Sequence, residues 1–220
     1  MDNRAHTMFA SEVIISRVAN VLREEQITSA GIESAVDKAG VGRNEVIARF
    51  GSMHGLILEM VSMLCRDLAA PLEQDLIGRA MRDVLVDFGT RLANTYSVSH
   101  LRTLYRIALS EATCHSGVGR EFFERGPGQL AMRLARYFER SIGRTNRVRA
   151  EDAKRLATEF LSLLGDYLEF SDWMIAAGTD CTKNYRDAVV EAVDVFCTVS
   201  MSPGGAHKGF NNLLARSRAY

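Results

Sequence analysis

The chain has 220 residues, 47% of them apolar and 25% charged, and its 27 basic residues are balanced by 27 acidic ones. This is the composition of a folded globular chain and excludes a disordered or fibrous one. Zero net charge also excludes a global field drawing the chain to nucleic acid or membrane, so any such binding must come from a local patch.

No apolar run approaches the roughly 18 residues of a membrane span. Residues 1–10 include Asp2, Arg4 and His6 and lack a signal-peptide hydrophobic stretch. Cys65, Cys114, Cys181 and Cys197 share no metal-binding or redox spacing, so reduced thiols in a cytoplasmic protein are expected.

From the N-terminus onward the apolar spacing is helical. Ile14, Ile15, Val18, Val21 and Leu22 mark one buried face of a first helix. A short second helix ends at Lys38, the run Ala39-Gly40-Val41-Gly42 follows, and a third short helix spans about Arg43 to Arg49. Ser52 fits the N-cap of a longer fourth helix, which Pro71 is expected to end. The pattern returns over Ile77 to Leu92 and again over Leu101 to Leu109. Gly117 and the pair Gly126-Pro127 bracket a short segment, and Pro127 suits the first turn of a helix running to Ile142. Glu151 and Asp152 favour the positive end of the next helix, over Asp152 to Ala177, and a last one covers Tyr185 to Val199. Neither strand alternation nor a hairpin turn is evident. The expected fold is all-α, with about nine helices.

The first sixty residues are the most specific. Two short helices joined by a tight glycine-containing turn are the signature of a helix-turn-helix, whose second helix enters the DNA major groove. Its core would be Ile32, Ala35, Val41, Val46 and Phe50, packed on Val18 and Leu22. With Ala39-Gly40-Val41 at the turn, and Phe50-Gly51-Ser52 followed by Leu56 after the third helix, the chain resembles the TetR family of bacterial transcription regulators. The stretch Glu121-Phe122-Phe123-Glu124-Arg125-Gly126-Pro127 is also similar to a link between ligand-domain helices in some members. The resemblance implies a DNA-binding head over residues 1–52 and a helical effector-binding and dimerisation domain over 53–202, ahead of a polar tail at 203–220.

Arg43 and Asn44 open the recognition helix, where Arg suits guanine and Asn suits adenine; Glu45 matches a cytosine amine. Ile47 stands where the family usually has Tyr, Gly42 where it has Ser, Met53 where it often has Lys, and Ala30 and Gly31 where it has Thr or Ser. Arg49 and His54 are candidate phosphate contacts, with Arg4 a third on an arm ahead of the first helix. Residues 1–60 hold six basic groups against eight acidic ones, which leaves the head poor in the charge that supplies non-specific affinity.

For the remainder the resemblance implies a small apolar effector and a symmetric dimer. Candidate pocket residues are Met63, Phe88, Tyr105, Tyr137, Phe138 and Trp173, where the tyrosines and the tryptophan add a polar tip. Residues of this kind also simply fill cores. Ala157, Leu164, Ala188, Ala192 and Phe196 on the last two helices are the expected dimer contacts, the small ones permitting close approach. Arg133, Arg136, Arg140 and Arg144 line one basic helix face, expected to be solvated and partly paired with acids, with an anion or membrane surface as the less favoured alternative. Glu111 and His115 lie one turn apart without further ligands, and no HExxH, P-loop, GxSxG or GxGxxG motif occurs, so no enzyme, metal or cofactor is expected.

Two functions fit. The first is a ligand-responsive, homodimeric regulator of transcription, a repressor that a small apolar effector releases from a palindromic operator. The second is a dimer that keeps the fold, has a degenerate head, and works as a ligand- or protein-binding module.

Overall fold

In a computed structural model of the full chain, the described residues are 2–24, 31–74, 78–97, 118–142, 150–176 and 185–200. They form α1 (Asp2–Glu24), α2 (Gly31–Lys38), α3 (Arg43–Phe50), α4 (Met53–Glu73), α5 (Met81–Ser97), α6 (Val118–Arg125), α7 (Pro127–Ile142), α8 (Ala150–Ala176) and α9 (Tyr185–Ser200). No strand occurs among them. The helix expected at Leu101 to Leu109, together with His100, Tyr105, Glu111, Cys114, His115, Arg144, Cys181 and the tail, lies outside the described residues.

The described residues divide into two compact units. The first takes those within Met1–Leu68 and Thr95–Leu130, the second those within Ala69–Asn94 and Ala131–Tyr220.

In the first unit the expected head core is present. Val18, Leu22, Ile32, Ala35, Val41 and Val46 are buried, while Phe50 is half-buried. Gly40 ends α2 with φ +63°, a left-handed conformation that a side chain would strain. Its N–H donates to the Asp37 carbonyl, and the Val41 N–H reaches back to Val36. These are the two bonds of a Schellman cap, with Val36 and Val41 as the accompanying buried apolar pair. The Arg17 guanidinium lies over this turn, 3.2 Å from where a Cβ on Gly40 would stand.

Gly51, at φ +77°, ends α3 in the same left-handed region, its N–H donating to Ile47 at 2.9 Å. One residue later the Gly55 N–H donates to the Ser52 hydroxyl, so Ser52 caps α4 as the sequence implies. Two expectations need correction here. Helix α4 runs through Pro71 to Glu73 rather than stopping, because a proline in the last turn forfeits only one intrahelical bond. And α1 already begins at Asp2, so Arg4 belongs to a helix rather than to an arm preceding it.

In the second unit α5, α8 and α9 meet closely. A Cβ on Gly89 would stand 2.7 Å from a Val189 methyl and 3.5 Å from one of Leu164. Phe88, Phe138, Phe160 and Phe196 are fully buried, with ring centroids 5.1 Å apart for Phe160–Phe196 and 5.6 Å for Phe138–Phe196. On the surface Arg82 grips both carboxylate oxygens of Asp194, at 2.6 and 3.0 Å, joining the start of α5 to α9 and holding the Asp194 carboxyl below its usual range.

Two substitutions test this framework by urea denaturation. Gly51→Ala, with open space around it, is expected to lose about 1 kcal/mol through backbone strain alone. Gly89→Ala adds a methyl against Val189, whose rotamer is fixed in its helix; a net loss of about 1 kcal/mol is expected, the crowding outweighing the helix-propensity gain.

Candidate nucleic-acid interface

Helix α3 has eight residues and buries one, Val46. Arg43, Asn44, Glu45, Ile47, Ala48 and Arg49 are all exposed, Ile47 to 47% despite its apolar side chain. A helix this short has little stability of its own. The Schellman turn before it, the left-handed glycine after it and Val46 beneath it fix its position. The first turn starts at Gly42, in extended conformation, with no side chain capping it. The acidic Glu45 sits at this positive end of the helix dipole and the basic Arg49 in its last turn, both in the favoured sense.

Arg43 does not stand alone. Its guanidinium donates a hydrogen bond to Glu33 on α2, and both side chains remain more than half exposed. Sequence reasoning missed Glu33. No motif ties it to Arg43 across ten residues; only the packing of α2 against α3 does.

His54 is placed otherwise than expected. Both ring nitrogens are out of solvent without a hydrogen-bond partner, and the nearer lies 3.9 Å from a Glu121 oxygen on α6. Glu121 is also bridged by Arg125 at 3.0 Å. The imidazole faces into the first unit rather than toward a phosphate. In the same unit a Cβ on Gly126 would stand 2.9 Å from a Val61 methyl, which explains the glycine at the α6–α7 corner.

Met63 is half-buried in the first unit, whereas Phe88, Tyr137 and Phe138 are fully buried in the second. Tyr105, and the side chain of Trp173, lie outside the described residues. Phe138 packs between Tyr137 and Phe196, so these rings fill the core of that unit. Burial pushes the Tyr137 phenol above its ordinary range, opposed by the charges of Arg79 and Arg140.

The dimer residues require a correction. Ala157, Leu164, Ala188, Ala192 and Phe196 are between 0 and 3% exposed within a single chain. They are buried within one molecule, in the unit where α5, α8 and α9 meet, and are not available to a partner. Of the basic face, Arg133 pairs with Glu73 and Arg140 donates to the Leu72 carbonyl at 2.6 Å, so both close off the C-terminal end of α4; Arg136 is exposed. This matches a partly paired face.

No group of three or more His, Cys, Asp or Glu side chains is placed to hold a metal among the described residues, and no described helix is long and apolar enough to cross a membrane. Cys65 is buried, and burial raises the thiol of half-buried Cys197, so neither has the character of a reactive thiolate.

Residues 83–199 match the family model described as the AefR-like transcriptional repressor, C-terminal domain. In fold the chain is similar to a protein described as a TetR-family transcriptional regulator from Mesorhizobium loti MAFF303099, with a TM-score of 0.64 and 17% identity over 90% of this chain and 98% of that one. It is also similar to the flavonoid-responsive regulator FrrA, with a TM-score of 0.56 and 22% identity over 86% and 95% of the two chains. No curated protein matches it in sequence. With a family match over more than half of its length and a shared fold over nearly all of it, the chain belongs to the TetR family of transcriptional regulators.

Proposed function

We propose that the protein is a homodimeric repressor that reads a palindromic operator through α3 and releases it on binding a small apolar effector. The head is residues 1–52 and the effector-binding and dimerisation part is residues 53–202. The observation that carries this reading is the outward face of α3: six of its eight side chains are exposed, among them Arg43, Asn44, Ile47 and Arg49. Arg43 is suited to guanine, Asn44 to adenine, and exposed Ile47 to a thymine methyl. Arg49, in the last turn of the helix, is assigned to phosphate. Two such heads about one helical turn apart, ~34–36 Å, match the symmetry of a palindrome. The effector stabilises the spacing that does not fit, and so lowers operator affinity by population shift.

We assign the dimer face to apolar side chains that the α8–α9 pair leaves half-exposed, chiefly Leu161 on α8 and Val190 and Val195 on α9. A degenerate head acting only as a ligand- or protein-binding module is the second reading. It is favoured by the six basic against eight acidic groups in residues 1–60.

Affinities measured against pools of randomised duplexes separate the two. Under the first reading, Arg43→Ala and Asn44→Ala each change the preferred base at one position, at a cost of about 1–3 kcal/mol on the preferred site. Arg49→Ala weakens all duplexes alike and lowers the salt slope by about one. Equal binding of every variant to every duplex supports the degenerate head. For the dimer, Leu161→Asp or Val190→Asp is expected to shift sedimentation from dimer to monomer and to weaken full palindromes more than half-sites. An unchanged dimer in both variants contradicts the α8–α9 interface.

A further inference from the structure

We propose that Glu33 is a specificity-determining residue, which positions Arg43 to read guanine and withholds its charge from phosphate. This rests on the reading of α3 as the recognition helix. Arg43 is the first residue of that helix, on a long side chain free to sample many rotamers in solvent, and it is 62% exposed. An unrestrained arginine at that place binds any nearby phosphate, and such binding carries no sequence information.

In this chain one terminal amino group of the guanidinium is committed to the Glu33 carboxylate, which projects from the neighbouring helix α2. Two consequences follow. The plane of the guanidinium is set before DNA arrives, and its remaining N–H groups are left for the paired acceptors O6 and N7 of guanine. The positive charge is compensated, so a phosphate gains less from it than a base edge with two aligned acceptors does.

An exposed ion pair of this type adds little to folding, so its place in the molecule is not explained by stability. Glu33 also gives the acidic head a purpose. Carboxylates beside the recognition helix lower binding to every duplex, and the ratio of specific to non-specific affinity rises if the base contact is kept.

The test is Glu33→Gln in the full-length protein, which keeps the shape and removes the charge. Binding is measured on a duplex selected by the wild-type protein, on the same duplex with the Arg43-dependent guanine replaced by adenine, and on scrambled DNA across a salt series. Discrimination between guanine and adenine is expected to fall about five- to tenfold. Affinity for scrambled DNA is expected to rise, with a salt slope steeper by about 0.9 as Arg43 becomes free to neutralise a phosphate. Glu33→Asp restores part of the discrimination, and in an Arg43→Ala background Glu33→Gln leaves the guanine–adenine discrimination unchanged and gives only a uniform gain on every duplex from the lost carboxylate. A merely structural residue would move neither the salt slope nor the base preference.

If the wild-type protein discriminates and Glu33→Gln discriminates equally, the inference is overturned and the reading of α3 stands. If the wild-type protein selects no sequence at all, both fall.

Discussion

Helix α3 is tied down by one buried side chain, Val46, and bounded by two glycines in a left-handed conformation that a side chain would strain, Gly40 and Gly51. Everything proposed for the first unit depends on that economy. A helix that buried more of itself would be held more firmly but would have fewer side chains left to offer. A helix without the Schellman turn and the left-handed cap would have nothing to define where it begins and ends. The head core of Val18, Leu22, Ile32, Ala35 and Val41 therefore supports a surface more than it protects an interior.

The second unit obeys the opposite logic. Its apolar side chains are spent inward: the phenylalanines of α5, α7, α8 and α9 stack on one another, and Gly89 gives up its side chain so that Val189 and Leu164 can come near. The alanines Ala157, Ala188 and Ala192 are likewise buried in this unit. What remains on the outside of α8 and α9 is a polar surface with a few half-exposed aliphatic side chains, the face we propose for a partner molecule.

What the sequence made legible was local. The glycine turn, the Ser52 cap, Pro127 at the start of α7 and the acids opening α8 are features whose physics is contained in a few consecutive residues, and each stands where that physics puts it. Failures came where the deciding partner was distant. Small residues at helical spacing announce a close contact but not with which helix, so Ala157 and Ala192 read equally well as contacts to a second molecule, and their burial within one chain decides. Pro71 reads as a terminator, yet α4 continues to Glu73, where Arg140 and Arg133 of α7 supply partners to its last turn. His54 is two residues past the cap that places α4, but its nearest charged neighbour is Glu121 on α6, far along the chain. Glu33 had no signal at all, since its importance exists only once α2 and α3 are side by side.

The central claim is that the outward face of α3 lies in the major groove, and editing the groove tests it more directly than editing the protein. In the duplex that the protein selects from a random pool, guanine can be replaced by 7-deazaguanine and thymine by uracil, each removing one major-groove group. Inosine in place of guanine removes only the minor-groove amine. If α3 reads the major groove, the first two weaken binding at the half-site positions facing Arg43 and Ile47 and inosine leaves it unchanged. Sensitivity to inosine alone, or indifference to all three, would contradict it.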